Sequence, residues 1–340
     1  MECFFQPDQR ITNKAAGFDL DGTLIRTKSK RRFPKDKYDW ILMNERVKSK
    51  LKGLYEDGYT IIVFTNQKNL EKRMKKSDFR DKCMSIQQKL EIPMIFYVSL
   101  QNNYMRKPFP GMFEHYVGKL IEPLIFGESF YVGDAWSKTE CFSDSDACFA
   151  KNCRISFYKA QGFFGSMVPN IYDIGLPQLS RDNQFVAHQI QLAAFIADKQ
   201  YLFIIGAPAT GKTTFCTKYL SDYLRLSKDD YKTPTRYRTV IQDNIDDKLV
   251  FDNTNGTTSS RGRILSYLED TEKVGYIVRN VPKKEAMYLN KYRHFITRGK
   301  VALLPEVAIY THYKRLAVPT GLNVFTIPAS WINKLKEFYC

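Results

Sequence analysis

Asp19 and Asp21 stand two residues apart in Phe18-Asp-Leu-Asp-Gly-Thr-Leu24, at the end of an extended apolar stretch. Pleating sends both side chains to one face for as long as the strand geometry persists. Such a pair can hydrolyse a phosphomonoester. One carboxylate attacks phosphorus to give an aspartyl-phosphate, and the other protonates the leaving oxygen and then activates water. Mg²⁺ would bridge carboxylate and phosphate oxygens and offset their mutual repulsion. An unrelated phosphate-handling pattern lies further on: Gly206-Ala207-Pro208-Ala209-Thr210-Gly211-Lys212-Thr213, followed by Thr214. It has the P-loop spacing and follows the apolar run Tyr201–Ile205. Its backbone N–H groups would wrap the β-phosphate of ATP, Lys212 would reach the β and γ oxygens, and Thr213 would ligate Mg²⁺. A chain with both patterns can remove phosphate and add it.

Other segments end in groups suited to the same tasks. Tyr59–Gln67 reads as a buried strand finishing in Thr65 and two amides, placed to bond a phosphoryl oxygen. Lys107, in Arg106-Lys-Pro108, can offset charge on a phosphoaspartate. Phe130–Asp134 is a strand ending in an acid, and Ser143-Asp-Ser-Asp146 follows; these supply hard oxygen ligands for Mg²⁺. In the second half, Lys248–Asp252 is a strand ending in an acid, followed by Asn253-Thr-Asn255.

These segments, in this order, resemble the haloacid-dehalogenase phosphatase superfamily. With Ser29–Pro34, Trp40, Gly111-Met112 and Ser145-Asp146-x-x-Phe149-Ala150, they resemble the eukaryotic-type polynucleotide kinase/3′-phosphatase family over roughly residues 12–328. The resemblance implies that Asp19 is the nucleophile, Asp21 the acid/base, and Thr65 and Lys107 phosphate binders. Asp19, Asp21 (through its main chain) and Asp134 would hold Mg²⁺, with Asp146 matching the family's later acid better than Asp144. In the kinase half, Asp229 falls where the family places the base for a 5′-hydroxyl, with Asp230 the near alternative and Asp243 a weaker rival. Asp243 lies too close to Asp252 to leave room for the helix that normally intervenes. Arg293, in Asn290-Lys-Tyr-Arg293, resembles a lid arginine that stabilises charge on the transferring phosphoryl; Arg298 is a second candidate. Pro305–Ile309, Tyr310–Lys314 and Val318–Thr320 follow the family's closing segment. Against this family the chain is expected to open on the phosphatase, without the phosphopeptide-binding module that animal members carry.

The elements that position these residues follow from length and pattern. At 340 residues there is room for two cores. Both halves are predicted to be α/β with parallel sheets: a haloacid-dehalogenase-like domain over 1–165 and a P-loop kinase domain over 178–340. The Gly- and Pro-bearing stretch near 160–178 is the boundary. Helices are expected over His188–Ala197 and Thr213–Leu224, and a last strand over Leu322–Ile327.

A net charge of +16 points to a polyanionic partner, nucleic acid before membrane. Basic runs at Lys28–Arg32 and Lys68–Lys76 flank the phosphatase motifs, where they can bind a nucleic-acid backbone. Tyr231-Lys232 through Tyr237-Arg238 could serve as a single-strand stacking platform. Seven cysteines of irregular spacing, with Cys141, Cys148 and Cys153 clustered, read as reduced thiols. No signal peptide or membrane-spanning run is present, so an intracellular monomer, nuclear or cytoplasmic, is expected. Together these features predict an end-repair enzyme acting on nucleic-acid ends, DNA ahead of RNA, with ATP and Mg²⁺, whose product a ligase would take. A bifunctional small-molecule phosphatase/kinase is the alternative. A non-enzymatic scaffold is disfavoured by the intact acids and lysines.

Overall fold

The computed structural model describes residues 2–4, 11–165, 171–172, 185–328 and 338. The chain forms two compact units. One comprises Met1–Pro177 with Phe295–Ala302 and Glu337–Cys340; the other comprises Gln178–His294 with Leu303–Lys336.

In the first unit the elements are β1 (Glu2–Phe4), β2 (Ala15–Phe18), β3 (Ile25–Arg26), β4 (Ile41–Leu42), α1 (Arg46–Glu56), β5 (Thr60–Asn66), α2 (Lys76–Leu90), β6 (Ile95–Ser99), α3 (Gly111–Val117), β7 (Phe130–Gly133), α4 (Ser145–Asn152), β8 (Ser156–Lys159) and α5 (Ala160–Phe163). The main sheet has the order β1-β6-β5-β2-β7-β8; all its pairs are parallel except β1 with β6. Strands covered on both faces read as continuous apolar runs. Thus Ile61 and Val63 of β5 pack with Phe79, Cys83 and Ile86 of α2, while Ile62 and Phe64, alternating with them, pack with Met112 and Phe113 of α3. β3 and β4 form a separate two-stranded ribbon.

The second unit contains α6 (Phe185–Ile196), β9 (Tyr201–Ile205), α7 (Lys212–Tyr219), β10 (Leu224–Leu226), α8 (Pro234–Asp243), β11 (Leu249–Asp252), α9 (Thr258–Leu265), β12 (Val274–Asn280), α10 (Lys283–Ile296), α11 (Glu306–Arg315) and β13 (Val324–Pro328). Its sheet is wholly parallel, ordered β10-β11-β9-β12-β13. The Phe203 and Phe251 rings meet at a tilt, 4.8 Å between centroids, on one face, and Leu202, Ile204 and Val250 pack with Phe215 and Cys216 of α7 on the other.

The expected α/β architecture is present in both units. Three element ends differ from the sequence pattern. α7 stops at Tyr219 rather than Leu224, because Ser221-Asp222 turns the chain and Leu224–Leu226 pairs with β11. The last strand begins at Val324, because Gly321 takes a left-handed conformation (φ 115°). α6 begins at Phe185 rather than at the expected His188. Most of the expected boundary at 160–178 lies outside the described residues. The described cysteines form no disulfide among the described residues, and Cys83, Cys148, Cys153 and Cys216 are buried. No helix among them is long and apolar enough to cross a membrane.

Candidate active sites

Sheet order fixes where each site sits. From β2 the chain crosses to β5 and β6 on one side, then returns to β7 and β8 on the other. The crevice at the carboxyl end of β2 is therefore a topological switch point, where α/β sheets bind ligands. Asp19 is the first residue beyond β2, and its N–H donates to the Val132 carbonyl of β7 at 2.9 Å.

A buried lysine gathers the acids there. Lys107 Nζ donates to Asp19 Oδ1 (2.6 Å), Asp146 Oδ1 (2.7 Å) and the Tyr131 hydroxyl (2.7 Å). Its main chain is anchored by a two-way bond with Asn66 at the end of β5 (3.0 and 3.1 Å). Asp146, in the first turn of α4, also accepts from the Ala135 N–H at 3.0 Å. Asp144 instead pairs with the exposed Lys138 at 3.0 Å, away from this network. Two glycines make the packing possible. A Cβ on Gly22, whose φ is +87°, would lie 2.2 Å from Asp134 Oδ2, and one on Gly133 would lie 2.5 Å from Asp146 Oδ2.

Carboxylate oxygens of Asp19, Asp134 and Asp146 lie within 4.8 Å of one another. Burial pushes the Asp19 carboxyl well above its usual range; Lys107 opposes this, and Asp146 and Asp134 add to the rise. Burial, with Asp146, pushes Asp134 up to about 6 against the pull of Lys107. Burial works against the charge on Lys107, but Asp146 and Asp19 outweigh it and raise its pKa. Three acids thus crowd around one ammonium, and a hard divalent cation would relieve the remaining repulsion.

Asp21 lies apart from this trio. Its half-exposed carboxylate accepts from Gln67 Nε2 at 2.6 Å and faces the buried Lys82 Nζ at 3.6 Å. Gln67 Nε2 also donates to Thr65 Oγ1 at 3.0 Å, so Asp21 and Thr65 share one amide. Gln67, expected as one of the two terminal amides to bond a phosphoryl oxygen, here bonds Asp21 and Thr65; Lys82 carries no role in the sequence pattern. Lys82 was findable: it occupies a core position on the stripe Phe79, Cys83, Ile86 and Leu90, where an ammonium is costly. Tyr131 was hidden within an apolar run.

In the second unit β9 is the switch strand, and residues 206–211 connect it to α7. Ala209 (φ 65°) and Gly211 (φ 82°) take left-handed conformations that curl this loop. Thr210 Oγ1 and Lys212 Nζ both donate to the Ala207 carbonyl (2.8 and 2.7 Å), while Thr213 and Thr214 are exposed at the start of the helix. Thr213 Oγ1 donates to Asp252 Oδ2 at 2.7 Å, joining the P-loop to the end of β11. Burial pushes Lys212 down to about 8; Asp252 opposes this, and the charges of Arg279 and Arg293 lower it further. Cations gathered at a helix N-terminus can hold an anion such as a phosphate chain. Arg293, on α10, thus bears electrostatically on the P-loop lysine. Arg298 belongs to the first unit, where it pairs with Glu114 at 3.2 Å. Arg279, unremarked in the sequence, ends the buried run of β12 and donates to the Thr210 carbonyl at 3.2 Å. Its signal was a charge inside an apolar strand.

Asp229 and Asp230 follow β10 in a single 3₁₀ turn capped by Ser227. Asp230 is held by Arg225 (2.8 Å), whose other nitrogen binds Asp252 at 2.9 Å. Asp229 is exposed, and among the described residues no ion pair holds its carboxylate. Helix α8 separates it from β11, and Asp243 is the exposed last residue of that helix. Asn253 accepts from the Lys228 N–H at 2.8 Å and donates to the Tyr237 hydroxyl at 3.2 Å. Tyr237 is therefore buried, not an exposed stacking surface, because the apolar face of α8 is Tyr237 and Ile241. His312 of α11 is buried against Gly256, where an added Cβ would lie 2.8 Å from its Cε1. Burial, then the Lys212 charge, pushes this imidazole down to about 4.

Around the first site Lys28, Lys30, Arg31 and Arg32 are exposed, on a loop tied by Asp39 to Ser29 and Lys35. The second basic run meets it where the Arg73 guanidinium lies 4.3 Å from the centre of the exposed Phe33 ring.

Residues 14–164 match the protein-family model described as polynucleotide kinase 3 phosphatase. The chain is 29% identical over 325 residues to the bifunctional polynucleotide phosphatase/kinase of Schizosaccharomyces pombe, covering 93% of this chain and 78% of that protein. It is 42% identical over 157 residues to an uncharacterized 20.8 kDa protein of Autographa californica nuclear polyhedrosis virus, covering 44% of this chain and 85% of that one. Similarity at 27% identity over 182 residues links it to the polynucleotide 3′-phosphatase ZDP of Arabidopsis thaliana, over 47% of this chain and 26% of that protein.

Proposed function

The chain belongs to the polynucleotide kinase 3 phosphatase family, and on that premise we propose that it repairs nucleic-acid ends, removing a 3′-phosphate in its first unit and phosphorylating a 5′-hydroxyl in its second. The observation that carries this is two polar clusters, each at the switch point of its own parallel sheet, with chemistry suited to phosphate: Asp19 with Lys107, and the P-loop with Asp252.

In the phosphatase, an oxygen of Asp19 bonds to phosphorus as the bond from phosphorus to O3′ breaks. Asp21 supplies the proton that leaves with O3′. Water then attacks the phosphoaspartate, its proton passes to Asp21, and phosphate departs from Asp19. Lys107 holds Asp19 in place and, with Thr65, offsets phosphate charge. Asp19, Asp134 and Asp146, with the main chain at Asp21, are the groups that would hold Mg²⁺, which supplies charge neutralisation when bound. In the kinase, the P-loop and Lys212 bind the ATP phosphates, and Thr213 with Asp252 would hold Mg²⁺. Asp229 takes the 5′-hydroxyl proton, and Arg293 stabilises charge on the phosphoryl group in transit. Exposed Lys28–Arg32 and Lys68–Lys76 bind the backbone, with DNA the preferred polymer and a ligase the next enzyme.

The test is a nicked duplex bearing a 3′-phosphate and a 5′-hydroxyl, with Mg²⁺ and ATP. The protein should convert it to a 3′-hydroxyl and 5′-phosphate that a ligase seals. Turnover of small phosphate esters and small alcohols with no action on the nick would overturn the proposal.

A further inference from the structure

The paired acids of the first site are each matched to a different buried lysine. Asp19 binds Lys107, from the loop before α3, whereas Asp21 faces Lys82, from the middle of α2. Lys82 is only 2% exposed, on a helix face otherwise made of Phe79, Cys83, Ile86, Gln87 and Leu90. An ammonium at such a position is costly to bury unless a partner repays it. Its described partners are the Asp21 carboxylate and the Phe79 ring at 5.9 Å. A methionine would fit the stripe without that cost. Stability alone therefore gives no reason for a lysine here.

Resting on the phosphatase reading above, we infer that Lys82 is a positioning residue for that reaction: with Gln67 it holds the Asp21 carboxyl at the mouth of the site, apart from the Asp19–Asp134–Asp146 cluster. Gln67 fixes one oxygen by a hydrogen bond and Lys82 attracts the other, so the side chain is restrained from both sides. Without Lys82, Asp21 is held by one flexible amide at a half-exposed position. The step that suffers is proton delivery to O3′, because the oxygen of a sugar cannot leave as an alkoxide. The attack by Asp19 is untouched.

That asymmetry provides the test. An aryl phosphate such as p-nitrophenyl phosphate has a leaving group that departs without a proton, whereas a 3′-phosphorylated oligonucleotide needs one. First-turnover alcohol release is measured with both for the wild type, Lys82→Met, Lys82→Arg, Asp21→Asn and the Asp21→Asn, Lys82→Met double variant. Lys82→Met should raise the aryl-to-oligonucleotide rate ratio roughly 10- to 10²-fold, the scale of loss for a misplaced catalytic group. Lys82→Arg should restore part of it, and Lys82→Met should add no loss to Asp21→Asn. Equal slowing of both substrates, an unchanged ratio, or a further loss in the double variant would overturn the role of Lys82 alone. A wild-type phosphatase indifferent to Asp19→Asn would overturn the phosphatase reading, and this inference with it.

Discussion

Asp19→Asn keeps the shape of the side chain but removes the anion that attacks phosphorus. Turnover of a 3′-phosphate should vanish while 5′-phosphorylation persists, as end-labelling assays would register. Wild-type phosphatase rates in a folded variant would exclude Asp19 as nucleophile. His312 supplies a pH prediction for the second unit. Its folded pKa, pushed down to about 4, lies below the ordinary value of 6.5, so its neutral ring contributes fully above pH 6.5. As pH falls from 6.5 toward 4, the unfolded chain takes up a proton that the folded one refuses, and that contribution is lost. His312→Gln should flatten this part of the stability curve, measured by denaturant titration across those pH values. At this scale Asp19 and Thr65 were readable because they stand at the ends of apolar strands, and Asp21 because it follows Asp19 in the D-x-D pattern, whereas Lys107, in the loop after β6, was readable only through the family-like Arg106-Lys-Pro108. Tyr131 was not readable, since it acts from within a strand whose pattern advertises only a core, while Lys82 and Arg279 left a weaker signal, a charge inside an apolar pattern.

Elements decide whether those side chains meet. The turn after β2 needs a residue with φ near +87° and no Cβ facing Asp134. Gly22→Ala should therefore destabilise the first unit by more than about 1 kcal/mol and depress phosphatase activity, since a left-handed alanine is strained and the clash displaces Asp134. Thermal unfolding beside steady-state kinetics would check both effects. In the second unit, α8 stands between Asp229 and β11, as the sequence spacing required. Asp229→Asn should lower phosphoryl-transfer turnover by on the order of 10²–10⁴-fold with ATP binding nearly intact. Asp230→Asn should be milder, because Asp230 serves as a counter-ion to Arg225. A large loss confined to Asp230 or Asp243 would move the base there. Strands were legible here because apolar runs and their terminal acids mark their own ends. The early stop of α7 was not, because it depends on β10 finding a neighbour far along the chain.

At the scale of the whole molecule, two sheets with separate P-loop and carboxylate sites make the activities separable. Lys212→Ala should abolish the kinase and leave the phosphatase unchanged, with 3′-phosphate release needing no ATP; a strict ATP requirement would contradict this. The net charge of +16 adds a solution test: affinity for oligonucleotide should fall steeply as salt rises, with a slope set by the phosphates contacted. Charge was readable from composition, whereas the meeting of the two basic runs at Phe33 and Arg73 required the fold. One further consequence lies at the rim of the first sheet. β1 runs antiparallel along β6, pairing Glu2 with Val98 and Phe4 with Phe96, and so covers a strand whose five residues are all buried. Deleting residues 1–4 would bare that ladder of backbone donors and acceptors to other copies of the chain. Such a truncated protein, with both phosphate sites intact in sequence, should self-associate in a concentration-dependent way visible by light scattering, so a tag fused at this end bears on solubility before it bears on catalysis.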